Sequence, residues 1–214
     1  NKIFLCTTKE KNDLKFKKAC TSHNINLFRG SKNNVLKRFI DCAKENNVKT
    51  IVRITADCPI IDPKLIDECI KLHYKKNSDY TTNTLKFTFP DGLDVEVVNL
   101  KVLLKSQKDL KSISNKEHVT PYIHGRLSDR FPSGDYKREQ LVSPIDYSKY
   151  RWTLDEEKDL IFLNKVFNNL NDHCTWKDVI NLLEEKPELV NINKGIKFNE
   201  GSLIGLRNYK DKSD

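Results

Sequence analysis

Short apolar runs alternate with lysine-rich polar stretches along this chain, and their spacing switches between the periods that mark strands and helices. Ile3 to Thr7 reads as a buried strand. Asp13 to Ser22 reads as a weak helix with Asn12 as its N-cap, and Ile25 to Phe28 as a second strand running into Arg29-Gly30-Ser31. Asn34 to Asn46 places Val35, Leu36, Phe39, Ile40 and Ala43 on one helical face. Thr50 to Thr55 predicts a third strand, ended by Ala56-Asp57-Cys58-Pro59. Pro63 to Lys76 predicts a helix: Asp62 suits the N-cap, Pro63 the first helical position, and Ile66, Cys69, Ile70 and His73 make an inner stripe. Strands follow at Tyr80 to Thr84 and Leu93 to Val98, the latter alternating Val95 and Val97 inward against Asp94 and Glu96. Helices are predicted over about Leu100 to Lys108 and Lys116 to Gly125, then a polar loop over 127–136 with Pro and Gly. Gln140 to Ser143 and Tyr150 to Leu154 read as strands, Glu156 to Asn168 and Trp176 to Glu185 as helices. Beyond Pro187 the pattern weakens, and residues 188–214 read as a tail.

Strands alternate with helices over the first 80 residues, the pattern of a parallel sheet covered on both faces. The two strands close together after Asp79 suggest an antiparallel element added to it. At 214 residues the chain is long enough for a full core, and a single domain is expected. Its 32% charged residues are polar for a globular protein but outside the disordered range. The net charge of +8 raises a nucleic-acid, membrane-surface or phosphate-rich partner. The lysines are nevertheless spread along the whole chain, without a basic run or the interleaved aromatics of a single-strand binder, so no specific nucleic acid is expected. Cys6, Cys20, Cys42, Cys58, Cys69 and Cys174 include no C-x-x-C pair, which removes support for a zinc site and points to a reducing, cytoplasmic compartment. No apolar run of 18 residues is present, so no membrane span is expected. The chain opens at Asn1 in what already reads as a strand and contains no Met, which predicts that a segment precedes it.

The candidate chemistry gathers around Thr50 to Glu96. Ligands of open α/β sheets bind outside the carboxyl ends of strands, and Asp57 stands there on a Pro-stiffened turn. It reads either as a ligand of Mg2+ that in turn binds substrate phosphates, or as a turn aspartate bonded to its own backbone. Asp155 poses the same choice: an N-cap for the next helix, or a second strand-end carboxylate that converges with the first on a hard cation. Asp159, one turn further on, could reach the same side, and Asp62 reads as a cap. Arg53, inside an apolar strand, needs an anion; it either pairs with Glu96 or Asp94 or faces the ligand. His118 near a helix start is either a base or a packed helical histidine. No Ser/His/Asp signature, G-x-G-x-x-G or Walker loop appears.

RITADCPIIDPKLIDECI, SDYTTNT, FPDGLDVEV, KEHVTPYI and RWTLDEEKDL, in this order, resemble the cytidylyltransferases of the spore-coat polysaccharide type, relatives of the enzymes that make CMP-sialic acid and CMP-Kdo. RGSKNNVLKRF, ELVNIN and NEGSL extend the resemblance over nearly the whole chain. It implies a nucleotide-diphospho-sugar transferase fold, a Rossmann-like three-layer α/β/α sandwich on a mixed, mostly parallel sheet. It also implies transfer of a nucleotidyl group from a nucleoside triphosphate, CTP by resemblance, to a sugar or sugar acid, with release of pyrophosphate. Mg2+ is the implied cofactor, with Asp57 and Asp155 as its ligands and as catalytic residues. Arg29, Gly30, Ser31 and Arg53 fall to the nucleotide; Asn83, Asp91, Asp94, Glu96 and His118 fall to the acceptor. A homodimer is carried by the resemblance as well. The family opens with a strand and a Gly-rich loop that holds the triphosphate. Because IFLCTT matches a later strand, the chain is expected to be N-terminally truncated and to lack that unit. The competing expectation is a catalytically incomplete fragment or a non-catalytic sugar- or nucleotide-binding module.

Overall fold

A computed structural model describes residues 2–109, 113–124, 134–171 and 173–196. The described residues fall into two compact units, one from Asn1–Ile51 and Val98–Tyr136, the other from Val52–Val97 and Lys137–Asp214.

In the first unit, β1 (Phe4–Thr8) and β2 (Asn26–Gly30) lie parallel, with Phe4 opposite Asn26 and Thr8 opposite Gly30. Parallel strands need a crossover. Here it is a 3-10 turn, Lys11–Leu14, followed by α1 (Lys15–Ser22). The helix expected from Asp13 therefore starts later, and Asn12 does not cap it. The reason is that the Asp13 carboxylate is taken by the Thr7 and Thr8 hydroxyls and the Thr8 N–H, which winds the chain tightly after β1. Next, α2 (Val35–Glu45) begins at Asn34, whose side chain accepts the Lys37 N–H at 2.8 Å. It buries Leu36, Ile40 and Ala43 from its expected face, together with Arg38 and Cys42. Later in the chain α2 packs against α4 (Leu100–Asp109) and α5 (Ile113–His118). The single helix expected from Lys116 to Gly125 is two pieces, α5 and α6 (Pro121–His124). Val119 lies in the left-handed region at φ 68°. Pro121 disfavours helical backbone at the residue before it while suiting the first position of a new helix. Much of the predicted 127–136 loop lies outside the described residues.

The second unit contains most of a sheet ordered β3 (Thr50–Arg53), β5 (Glu96–Asn99), β4 (Tyr80–Thr82), β6 (Arg138–Gln140). The sheet is mixed in direction. β4 and β6 are parallel, pairing Tyr80 with Arg138 and Thr82 with Gln140. Between β3 and β4 runs α3 (Pro63–Lys76), as expected from the sequence, capped by Asp62 through the Lys64 N–H at 2.7 Å. It presents Leu65, Cys69 and His73 to the core, and His73 Nδ1 meets Thr81 Oγ1 at 3.0 Å. On the other side of the sequence come α7 (Glu157–Asn169), α8 (Trp176–Glu185) and a 3-10 turn, Pro187–Asn191. Val95, Val97, Trp152, Phe162, Val166 and Val179 are among the residues that close this unit's core.

Two expectations change here. The alternation read in Leu93 to Val98 does not leave a solvated polar face, since Glu96 is buried along with its valine neighbours. Its carboxylate is neutralised by Arg53, and Tyr80 Oη donates to it at 2.6 Å. The strand expected at Tyr150 to Leu154 is instead an extended segment that joins loops, with a single parallel bridge between Asp91 and Arg151. Asp91 N–H donates to Tyr150 C=O at 3.0 Å, Trp152 N–H to Asp91 C=O at 2.7 Å, and Leu154 N–H to Asp57 C=O at 2.8 Å. Loop partners satisfy the groups that a neighbouring strand would otherwise have paired.

Candidate active site

Three stretches of the second unit meet at the carboxyl end of β3. The first is the turn Ala56–Pro59, in which Asp57 is half-buried and its main-chain carbonyl accepts the Leu154 N–H and, at 3.3 Å, the Thr153 hydroxyl. These bonds fix Asp57 and Asp155 as neighbours although they lie far apart in sequence. The second is Pro90 to Val95. Gly92 has φ 99°, and a Cβ there would come within 2.6 Å of the Trp152 carbonyl carbon. Only glycine lets the two backbones approach this closely. The buried Asn83 side chain holds the far end of this stretch: its amide donates to Leu93 C=O at 2.7 Å and accepts from Val95 N–H at 2.9 Å. Asp94 is thereby fixed between two anchored residues.

The third stretch is Arg151 to Asp159. Arg151 is the hub. Its Nε and Nη2 grip the two oxygens of Asp159 at 3.0 and 2.8 Å, Nη2 also donates to Asp155 Oδ2 at 2.9 Å, and Nη1 approaches Asp91 Oδ2 at 3.4 Å. The Thr153 hydroxyl stands 3.4 Å from the same Asp155 oxygen. Asp155 does not cap α7. The N-cap position belongs to Glu156, and the N–H groups of both Asp155 and Glu156 donate to Asp159 Oδ2. Freed of capping, the Asp155 carboxylate is 51% exposed, whereas that of Asp159 is fully buried.

The electrostatics follow from this crowding. Burial pushes the Asp91 carboxyl up to about 6; Arg151 opposes the rise, while the negative charges of Asp155, Asp57 and Asp159 add to it. Burial acts against the charged form of Asp159 too, but the hydrogen bonds from Arg151 and Asn193 and the two N–H groups outweigh it and hold the carboxyl low. The buried Cys58 thiol is pushed up to about 12 by desolvation and by Asp94 and Asp57. That leaves Cys58 a small packed thiol without nucleophilic character. Three carboxylates, those of Asp91, Asp155 and Asp159, thus share the Arg151 guanidinium, and the charge of Asp57 is close enough to raise Asp91 further. Arg53 is taken by Glu96, so of its two sequence readings the structure favours the ion pair.

The donor set suits a hard divalent cation. Asp57 and Asp155 offer carboxylate oxygens in a cluster where carboxylates outnumber the guanidiniums of Arg151 and Arg53. Among the described residues no group of three or more His, Cys, Asp or Glu side chains converges as a metal cage. Mg2+ commonly takes only one or two carboxylates and fills its shell with water and substrate phosphates, so the pair fits that ion as a shared ligand.

In the first unit, a groove of about 680 Å³ opens beyond the carboxyl ends of β1 and β2; Arg29, Gly30 and Ser31 line it, with Lys32 paired to Glu10 and Lys37 to Asp41 on its walls. Arg29 contributes to its wall by donating to Thr8 C=O at 3.0 Å and Glu10 C=O at 2.9 Å. Gly30 is buried where a Cβ would press on Arg38 and Phe28. His118 ends α5, half-buried, next to the left-handed Val119. The residues predicted from sequence therefore separate by unit. Arg53, Asp57, Asn83, Asp91, Asp94, Glu96 and Asp155 belong to the second, while Arg29, Gly30, Ser31 and His118 belong to the first.

A family model described as "Cytidylyltransferase" matches residues 1–174. The chain belongs to the cytidylyltransferase family. It is similar to the uncharacterized protein MJ1063 of Methanocaldococcus jannaschii, 32% identical over 203 residues that cover 91% of this chain and 78% of that protein. It is also similar to the spore coat polysaccharide biosynthesis protein SpsF of Bacillus subtilis, 27% identical over 194 residues, with 88% and 76% of the two chains covered. A solved cytidylyltransferase from Leptospira borgpetersenii superposes with a TM-score of 0.81 at 29% identity, covering 91% of this chain and 80% of that one. Membership of the cytidylyltransferase family makes this chain a nucleotidyltransferase on an α/β fold, as its motifs suggested. Cytidylyltransferase motifs also explain which local signals were readable: TADCP and WTLD supply Asp57 and Asp155. Sequence reasoning missed Arg151, whose spacing four and eight residues ahead of Asp155 and Asp159 was the available signal. It gave no role to Asn193, which ends the ELVNIN motif in a stretch where the apolar pattern fades.

Proposed function

We propose that this cytidylyltransferase joins a cytidylyl group from CTP to a sugar or sugar acid for surface polysaccharide synthesis, with Mg2+ held by Asp57 and Asp155. The observation that carries the proposal is the cluster of four carboxylates at the carboxyl end of β3, three of them bonded to the single guanidinium of Arg151. Such a surplus of negative charge does not suit a triphosphate alone but suits one that arrives with a divalent cation. When bound, the ion neutralises charge on the phosphates and on the departing pyrophosphate.

The reaction is a displacement at phosphorus. A bond forms between the acceptor oxygen and the α-phosphorus, and the bond from that phosphorus to the bridging oxygen breaks. The electron pair leaves with pyrophosphate. The protein's work is positioning and charge matching. Asp57 is oriented by main-chain and side-chain bonds from Thr153 and Leu154, and Asp155 by Arg151. Asp91 and Asp94, on a stretch anchored by Gly92 and Asn83, are proposed for the acceptor hydroxyls, for which carboxylates are good hydrogen-bond acceptors. Asn83 and Glu96 would act behind them, since both side chains are committed to internal bonds. Arg53 likewise is proposed to act on the nucleotide only indirectly, through Glu96. In the first unit, Arg29, Gly30 and Ser31 border a groove of mixed charge and are proposed for the nucleotide on the strength of the family resemblance. His118 is proposed for the acceptor on the strength of the family resemblance.

The test is pyrophosphate release by the product of the full reading frame, supplied with CTP, Mg2+ and a panel of sugar acids and sugar phosphates. Release that depends on one acceptor and on CTP over the other nucleotides is expected. Silence with every acceptor, or equal turnover of all four triphosphates, would overturn the assignment.

A further inference from the structure

The half-exposed carboxylate of Asp155 has no helix cap or strand to fix it. What fixes it is a relay that begins in the segment after the last 3-10 turn. The Asn193 amide nitrogen, on a nearly fully buried side chain, donates to two acceptors at once, Arg151 C=O at 2.9 Å and Asp159 Oδ1 at 2.9 Å. An amide NH2 has two hydrogens in one plane, and here each has its own partner. One bond pins the Arg151 main chain and the other pins the carboxylate that its guanidinium grips. Asp159 in turn receives Arg151 through both Nε and Nη2, the forked geometry that fixes a guanidinium in plane as well as in place. The same Nη2 then reaches Asp155. The two N–H groups on Asp159 Oδ2 come from Asp155 itself and from Glu156, so the buried carboxylate holds the Asp155 main chain as well as its side-chain partner.

We infer that Asn193, Asp159 and Arg151 are positioning residues that set the place of the Asp155 carboxylate and so the affinity of the site for its divalent cation. The inference rests on the proposed metal role of Asp155. It assigns a part in the site to Asn193, to which the sequence motifs gave no role and which lies beyond the family match to residues 1–174. Groups that orient metal-ligating carboxylates commonly alter metal affinity or activity by roughly 10–100-fold when removed. Asn193 is the informative position because its side chain touches neither proposed ligand.

The experiment titrates the full chain with Mn2+ alone, as a paramagnetic stand-in for Mg2+, and follows the free ion by electron paramagnetic resonance. Far-UV circular dichroism confirms that each variant is folded. Asn193→Ala is expected to weaken Mn2+ binding about 10-fold. In an Asp155→Asn background the same change should have little further effect, because two residues on one relay are not additive. Should Asn193→Ala not fold, Asn193→Ser, which keeps one donor, gives a second reading, with an intermediate loss expected. Arg151→Lys keeps the charge and loses the fork, and is expected to weaken binding similarly. If the wild-type chain binds Mn2+ and the folded Asn193 variant binds it equally well, the positioning role is overturned while the metal site stands. If the wild-type chain binds no Mn2+, the metal reading falls and the inference with it.

Discussion

Two aspartates show how neighbours decide what a carboxylate does. Asp57 is held by its main chain while its side chain stays half-buried at the mouth of the cluster, an arrangement suited to a ligand. Asp57→Asn keeps the shape and removes the charge, so pyrophosphate release should fall by at least ~100-fold, the usual scale for losing one electrostatic stabiliser. Near-normal turnover would return Asp57 to the part of a turn residue. Asp91 is the opposite case, buried and raised from 3.8 to about 6. The folded state therefore binds this proton more tightly than the unfolded chain does. The contribution of Asp91 to stability is greatest below about pH 4 and is lost as pH rises through about 6. Asp91→Asn should consequently match the wild-type chain in urea unfolding at pH 4 and exceed it by about 1–3 kcal/mol at pH 8, measured with chelator present. A difference that stays flat across that range would show that Asp91 does not carry the charge strain.

Elements were legible in the sequence where their signals are local. The helices from Pro63 and from Trp176 begin and end where the sequence predicted, the first with its Asp62 cap. The segment Tyr150 to Leu154 carries the apolar residues of a strand, yet it pairs with loops, and nothing in its composition distinguishes those partners from a neighbouring strand. The break at Val119 was missed although Pro121 is its local signal, since proline disfavours helical backbone at the residue before it. Asp62 was read as a cap, and the structure adds a second duty. Its carboxylate accepts the Lys64 N–H of α3 at 2.7 Å and the Trp176 N–H at the start of α8 at 3.1 Å. One buried side chain thus satisfies orphan donors of two helices far apart in sequence. Asp62→Ala should cost about 2–3 kcal/mol in chemical denaturation, more than a single cap is worth. A loss below about 0.5 kcal/mol would mean that water replaces both bonds.

At the scale of the molecule, the α/β fold and the family were legible, because they rest on contiguous motifs. The relay behind Asp155 was not legible, because it joins residues 91, 151, 155, 159 and 193 through side-chain geometry that no run of sequence encodes. The chain as a whole is basic, at +8, and the acidic cluster is a local exception to that charge. Among the described residues no helix is long and apolar enough to cross a membrane. The contact of Arg151 with Asp91 spans 60 residues and that of Asn193 with Asp159 spans 34, so both require closure of long loops. Closure entropy is spent before such contacts return anything, which places them late on the folding route. Substitutions at Arg151 should accordingly speed unfolding in stopped-flow experiments and leave the refolding rate nearly unchanged. The same timing applies during synthesis: the acidic turn at Asp91 leaves the ribosome 60 residues before the guanidinium that balances it, so the nascent chain carries the Asp91 charge unmatched until Arg151 has emerged.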